Sequence, residues 1–163
     1  MSRDDLTPVE LETWSSLLGV MIWLPAALDA HLRESGLSHS DFQTLWWLHL
    51  SDDGTCTMGD LASTASVTPS HLSRIATRLQ KQGLMERRPD PRDARFTLAA
   101  ITPLGRAKVE ACLPGYYAAL HENLFRHLTA PQVEQLRVIT GGVLLALHPA
   151  CAPASFTPPA PQP

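Results

Sequence analysis

Residues 57–105 read TMGDLASTASVTPSHLSRIATRLQKQGLMERRPDPRDARFTLAAITPLG, and this stretch decides the fold. Thr57 stands three residues before Asp60, the pattern of a helix N-cap with an acid in the first turn. Leu61, Ala62 and Ala65 give the short helix that follows a narrow apolar face. Thr68-Pro69 is a second cap, with proline at the first helical position. From Pro69 to Gln82, Leu72, Ile75, Ala76 and Leu79 recur at helical spacing and turn inward. Ser70, His71, Ser73, Arg74, Thr77, Arg78 and Lys81 are left on the polar side, and Gly83 stops the helix. Leu84–Arg88 and Arg95–Ile101 read as paired strands around the polar turn Pro89-Asp90-Pro91-Arg92-Asp93-Ala94. That turn is too long for a two-residue hairpin.

The charge lies in the same place. Residues 71–108 hold 9 of the 13 Lys and Arg but 3 of the 16 Asp and Glu, a local charge of +6 in a chain whose remainder carries −9. A nearly neutral protein that gathers its positive charge on one helix and one hairpin is built to meet a polyanion there. The overall charge of −3 argues against indiscriminate binding of nucleic acid or anionic membrane.

Outward from this segment the chain reads as helix. Thr7-Pro8 opens a first helix through Val9, Leu11, Trp14, Leu17, Leu18, Met21 and Ile22. Pro25 is expected to kink or break it after Leu24, before it resumes through Leu28 and Leu32 and stops near Gly36. Ser38 or Ser40 caps the next helix, which carries Phe42, Leu45, Trp46 and Leu48, and 51–54 form a loop. Thr102-Pro103 caps a long helix reaching about Leu128, bent at Pro114-Gly115, and a last helix starts at Thr129-Ala130-Pro131 and runs to Leu147. A chain of 163 residues makes one domain with appended segments. The expected division is a helix at 1–36, a compact segment at 37–101 that contains the stretch above, helices at 102–148 and a disordered Pro/Ala-rich tail at 149–163. The first residues lack a signal-peptide core, and Leu17–Leu24 is too short an apolar run to span a membrane, so the expected location is cytoplasmic.

In a helix-turn-helix the second helix enters the major groove and its first turns meet base edges. The helix from Pro69 is about 20 Å long, at about 1.5 Å per residue. Candidate DNA contacts are Thr68, Ser70, His71, Ser73, Arg74 and Thr77, with Arg78 and Lys81 further along as phosphate contacts. Arg92 and Arg95 at the hairpin tip could enter a neighbouring minor groove, with Asp93 orienting an arginine. The plain alternative is a solvated helix face and an ordinary polar hairpin. The order of helix, glycine stop, strand, basic turn and strand favours DNA.

These residues resemble the MarR family of bacterial winged helix-turn-helix regulators over about residues 8–147. The resemblance rests on Gly36-Leu37-Ser38 before Phe42, Leu61-Ala62, Pro69–Arg74, Leu79–Arg87 and Ile101–Gly105, and above all on Asp90-Pro91-Arg92-Asp93-Ala94-Arg95. It implies a mainly α fold with a small β-hairpin wing: a winged helix-turn-helix with a helical dimerisation region from both chain ends. It also implies a homodimer on a pseudo-palindromic double-stranded operator, with recognition helices about 34–36 Å apart. The expected function is that of a ligand-responsive dimeric repressor. The alternatives are a winged-helix protein-interaction module without DNA binding and a metal-dependent sensor.

Other chemistry has less support. The four tryptophans, Trp14, Trp23, Trp46 and Trp47, suit core and dimer packing. The functional alternative is a pocket for a small aromatic ligand, for which Trp23, Trp46, His49 and Tyr117 are the candidates. The seven histidines form no HxxxH or HExxH spacing, so no metal site and no cofactor are expected. Cys56, Cys112 and Cys151 contain no CxxC pair and read as ordinary thiols. No GxSxG, P-loop or GxGxxG motif is present, and no enzyme activity is expected.

Overall fold

The computed structural model describes residues 5–148. The tail expected at 149–163, with Cys151, lies outside them. Helix α1 (Pro8–Glu34) is followed by α2 (His39–Leu50), strand β1 (Thr55–Thr57) and α3 (Met58–Thr64). Next come α4 (Pro69–Lys81), β2 (Met85–Pro89), β3 (Thr97–Ile101), α5 (Pro103–Asn123) and α6 (Ala130–Leu147).

The caps form as their sequences dictate. Ser38, not Ser40, caps α2: its hydroxyl accepts the Asp41 N–H while the Asp41 carboxylate accepts the Ser38 N–H, a reciprocal box. Thr57, Thr68 and Thr102 each accept the N–H three residues on, opening α3, α4 and α5. Gly83 sits at φ +71, the left-handed conformation that ends α4 and lets the chain turn directly into β2.

The strands form one antiparallel sheet in the order β1-β3-β2. Met85 pairs with Ile101 and Pro89 with Thr97, while Thr55 pairs with Ala100 on the other side of β3. Pro89 is tolerated because β2 is an edge strand. The third strand, β1, was absent from the sequence reading. Its three residues are too few to show an alternating pattern, and only pairing with β3 defines it.

Of the kink or break expected at Pro25, the break does not occur. Helix α1 runs unbroken through Pro25, and α5 runs unbroken through Pro114. Each proline removes one backbone hydrogen bond, but packing of α1 against α5 holds the rest of both helices. The imidazole of His31 on α1 lies so close over Gly115 on α5 that a Cβ there would overlap it. The long helix ends at Asn123 rather than near Leu128, and Phe125–His127 form a separate 3-10 turn.

The core is continuous from Leu32 of α1 through Phe42, Leu45 and Leu48 of α2 and Leu72, Ile75 and Leu79 of α4 to Val109 and Cys112 of α5. By contrast, the first half of α1 leaves Val9, Leu11, Trp14, Leu17, Leu18, Met21, Ile22 and Trp23 exposed, and α6 exposes Ile139, Val143 and Leu147. With all of its length counted, α1 is long and apolar enough to cross a membrane, which the shorter run Leu17–Leu24 did not suggest.

One joint sets the position of the sheet. Thr102 donates its hydroxyl to the Gly83 carbonyl at 2.6 Å and its N–H to the Leu84 carbonyl at 3.1 Å. Gly105, one turn into α5, lies against that same Leu84 carbonyl, so a Cβ would overlap backbone oxygen. Gly105→Ala is expected to destabilise the protein by about 3 kcal/mol. Gly59→Ala, where a Cβ meets ordinary contact with Thr57, should stay within about 1 kcal/mol of the parent. Urea unfolding of the two variants side by side checks this.

Candidate nucleic-acid interface

All ten side chains expected to meet DNA are exposed: Thr68, Ser70, His71, Ser73, Arg74, Thr77, Arg78 and Lys81 on or beside α4, and Arg92 and Arg95 on the wing. The sequence forces this face outward, because Leu72, Ile75, Ala76 and Leu79 bury the other. Six of the ten also make contacts that hold this surface together, four on or beside α4 and Arg92 and Arg95 within the wing. Thr68 caps α4, and its hydroxyl lies 3.3 Å from that of Ser70. Thr77 donates to the Ser73 carbonyl and accepts from Arg87. Arg78 is paired with Asp41 of α2, its Nε donating to Oδ1 at 3.0 Å. Among the described residues, the side chains of His71, Ser73, Arg74 and Lys81 have no hydrogen-bond or ion-pair partner.

Arg87 and Asp41 were missed by the sequence reading. Arg87 on β2 donates to Gln80 Oε1 at 3.0 Å and to Thr77 Oγ1 at 3.2 Å, tying the wing to α4. The charge run 87–88 signalled a basic strand but not which arginine turns back onto the helix. Arg74, Thr77, Arg78, Lys81 and Gln82 together line a shallow recess of about 380 Å³. A recess with three cations and two neutral hydrogen-bonding groups suits phosphate oxygens.

The wing is organised by its own acids. Asp90, buried, accepts the Arg92 N–H at 2.8 Å and faces the Arg92 guanidinium at 3.4 Å. Asp93 accepts the Arg95 N–H at 3.0 Å and grips its guanidinium with both oxygens. These bonds from Arg95, first the side chain and then the backbone, hold the Asp93 carboxyl below its usual range. Asp90 and Phe96 close the loop through backbone bonds in which Asp90 donates to Phe96 and Phe96 to Asp93. The tip therefore projects Arg92 and Arg95 from a braced loop, with Asp93 orienting an arginine as expected.

The four candidate pocket residues do not converge on one cavity. Trp23 is 73% exposed and lines a recess of about 670 Å³ with Gly19, Val20, Ala27, Asn123 and Leu124. Trp46 and His49 belong elsewhere, in a row of rings: His49 stacks on Trp46, Trp46 on Phe42, and Phe42 packs against Tyr116 with centroids 4.6 Å apart. Tyr116, not the exposed Tyr117, joins that row, because it is the α5 residue that faces α2. No group of three His, Cys, Asp or Glu that could hold a metal occurs among the described residues. The Cys56 thiol is pushed above its usual pKa by burial and by Asp60 and Asp53, so its environment does not favour a reactive thiolate.

A family model described as the MarR family matches residues 37–97. Multiple antibiotic resistance protein MarR of Salmonella typhimurium is 31% identical over 117 residues, 72% of this chain and 80% of that protein. The chain belongs to the MarR family. Two MarR relatives solved with DNA share its architecture. Sco3205, a MarR family transcriptional regulator from Streptomyces coelicolor in complex with DNA, superposes with a TM-score of 0.80 at 31% identity, over 90% of this chain and 96% of that one. A mutant MarR from E. coli complexed with operator DNA superposes with a TM-score of 0.73 at 27% identity, over 86% of this chain and 99% of that one.

Two outcomes are expected for this surface in DNA binding. Arg74→Ala should weaken a preferred site by about 1–3 kcal/mol with a smaller effect on unrelated sequence. Equal loss on all sequences, read by fluorescence anisotropy, would make Arg74 a phosphate contact. Arg95→Ala should lower the salt dependence of binding by about one unit of log–log slope if its guanidinium meets a phosphate. An unchanged slope and affinity would remove the wing tip from the contact.

Proposed function

We propose that this MarR family protein is a homodimeric, sequence-specific double-stranded DNA-binding repressor that acts in the cytoplasm, and not an enzyme. The observation that carries the reading is the polar face of α4. It sets unpaired Arg74 and Lys81 beside a braced basic wing, on a fold shared with two relatives whose structures hold DNA. Thr68, Ser70, His71, Ser73, Arg74 and Thr77 are the proposed groove contacts, with Arg78, Lys81, Arg92 and Arg95 on the backbone or minor groove.

The proposed division keeps 37–101 as the DNA-binding domain and gives 1–36 and 102–148 to dimerisation. The exposed apolar faces of α1 and α6 support it, because together they present more apolar surface than a monomer of this size needs. A second copy of the chain also accounts for the apolar length of α1 better than a membrane does: its second half already buries Leu28 and Leu32 against the protein. Release by a small aromatic ligand completes the proposal, and the ring row from His39 to His49 between α2 and α5 supports it. Such a ligand would act by preferring a spacing of the two recognition helices that does not fit DNA.

The test is a salt titration of binding to DNA from upstream of the protein's own gene and to duplexes selected from a randomised pool, with scrambled competitor. Competitor-resistant binding at a two-fold site, weakened by added aromatic anions, is the expected result. Enrichment of no sequence from the pool would leave the protein-interaction reading in its place.

A further inference from the structure

The acid that anchors the recognition helix lies outside the helix-turn-helix. Asp41, in the first turn of α2, is 3% exposed. Its Oδ2 accepts the Ser38 N–H at 3.0 Å and the Ser38 hydroxyl at 2.7 Å. Its Oδ1 accepts Arg78 Nε at 3.0 Å and Nη2 at 2.5 Å, across 37 residues of sequence. The Arg78 side chain remains 47% exposed and lines the recess between Arg74 and Lys81. One edge of the guanidinium is thus held by a buried carboxylate while the rest belongs to the DNA-facing surface.

Towards α2 the rest of the packing is apolar, with Leu72, Ile75, Ala76 and Leu79 in one cluster with Leu45 and Leu48, while Arg87 of β2 bonds Gln80 and Thr77 from the wing side. Apolar packing is non-directional and permits small rotations of a helix about its axis. A two-donor guanidinium–carboxylate pair is directional and does not. Ser38 fixes the carboxylate, and the α2 N-terminus is itself pinned to α1, where Asp29 accepts the His39 N–H at 2.7 Å and pairs with Arg33. We infer that Asp41 is a positioning residue for sequence reading: acting through Arg78, it fixes the rotation at which α4 presents Ser70, Ser73 and Arg74 to base edges. The inference rests on the DNA-binding reading above.

The sign of the effect separates this role from simple electrostatics. Asp41 is an acid beneath a DNA-binding face, so removing its charge should tighten binding to any DNA if charge alone matters. A positioning role demands weaker discrimination instead. The test uses the full-length protein, a duplex that the wild-type chain selects from a randomised pool, and a scrambled duplex, at a temperature where thermal melts show every variant folded. Asp41→Asn is expected to lower the preference for the selected duplex about tenfold, with binding to the scrambled duplex unchanged or tighter. Arg78→Lys keeps the charge and loses the two-donor grip, and is expected to lose preference to the same degree. The double variant should be no worse than either single one.

An unchanged or increased preference in Asp41→Asn overturns the inference, as do losses that multiply in the double variant. If Asp41→Asn does not fold at the assay temperature, Arg78→Lys decides: full retention of preference makes Arg78 a point charge and overturns the role assigned to Asp41. Failure of the wild-type chain to select any sequence overturns the DNA-binding reading and this inference together, so the two failures are distinct.

Discussion

The close approach of Gly105 to the Leu84 carbonyl is the constraint on which the winged half of the molecule depends. At that point the Leu84 carbonyl, between α4 and β2, and the Ile101 side chain of β3 fill the space that a Cβ in the first turn of α5 would need. Thr102 locks the same junction, bonding to Gly83 and Leu84 while its hydroxyl caps α5. The left-handed turn at Gly83 makes the approach geometrically available. Two glycines and a threonine therefore orient the recognition helix, the wing and the long helix with respect to one another.

On that frame, polar side chains determine rigidity as much as they offer contacts. Arg87 spends its donors on Gln80 and Thr77, and Arg78 directs two of its own at Asp41. Wing arginines are held by acids two positions away in the same loop. A surface braced in this way loses little conformational freedom on meeting a rigid partner, so more of its contact energy appears as affinity. The Arg95–Asp93 pair, open to solvent on the arginine side, adds little to stability itself. What such pairs contribute is a defined direction for long, flexible side chains.

Much of this was legible in the chain. Thr57, Thr68 and Thr102 mark helix starts because an N-cap is a local interaction within four residues, and Gly83 marks a stop for the same reason. The exposed polar face of α4 followed from the helical period of Leu72, Ile75 and Leu79. The failures share a cause. Strand β1 exists only through its pairing with β3, and α1 continues through Pro25 while packed against α5. The partners of Arg78 and Arg87 depend on tertiary placement, as does the packing of Tyr116 against Phe42. No local rule of spacing contains that information.

The segregation of charge has a kinetic consequence. With +6 gathered between residues 71 and 108 and −9 on the remainder, the molecule is a large electric dipole as well as a weak net anion. In the field of a polyanion such a body experiences a torque before it makes any contact. Approaches that lead with α4 and the wing are drawn in over those that lead with other parts of the surface. The acidic remainder thus works as a rudder: it narrows the range of encounter orientations, and its reach shrinks to about 8 Å at physiological ionic strength.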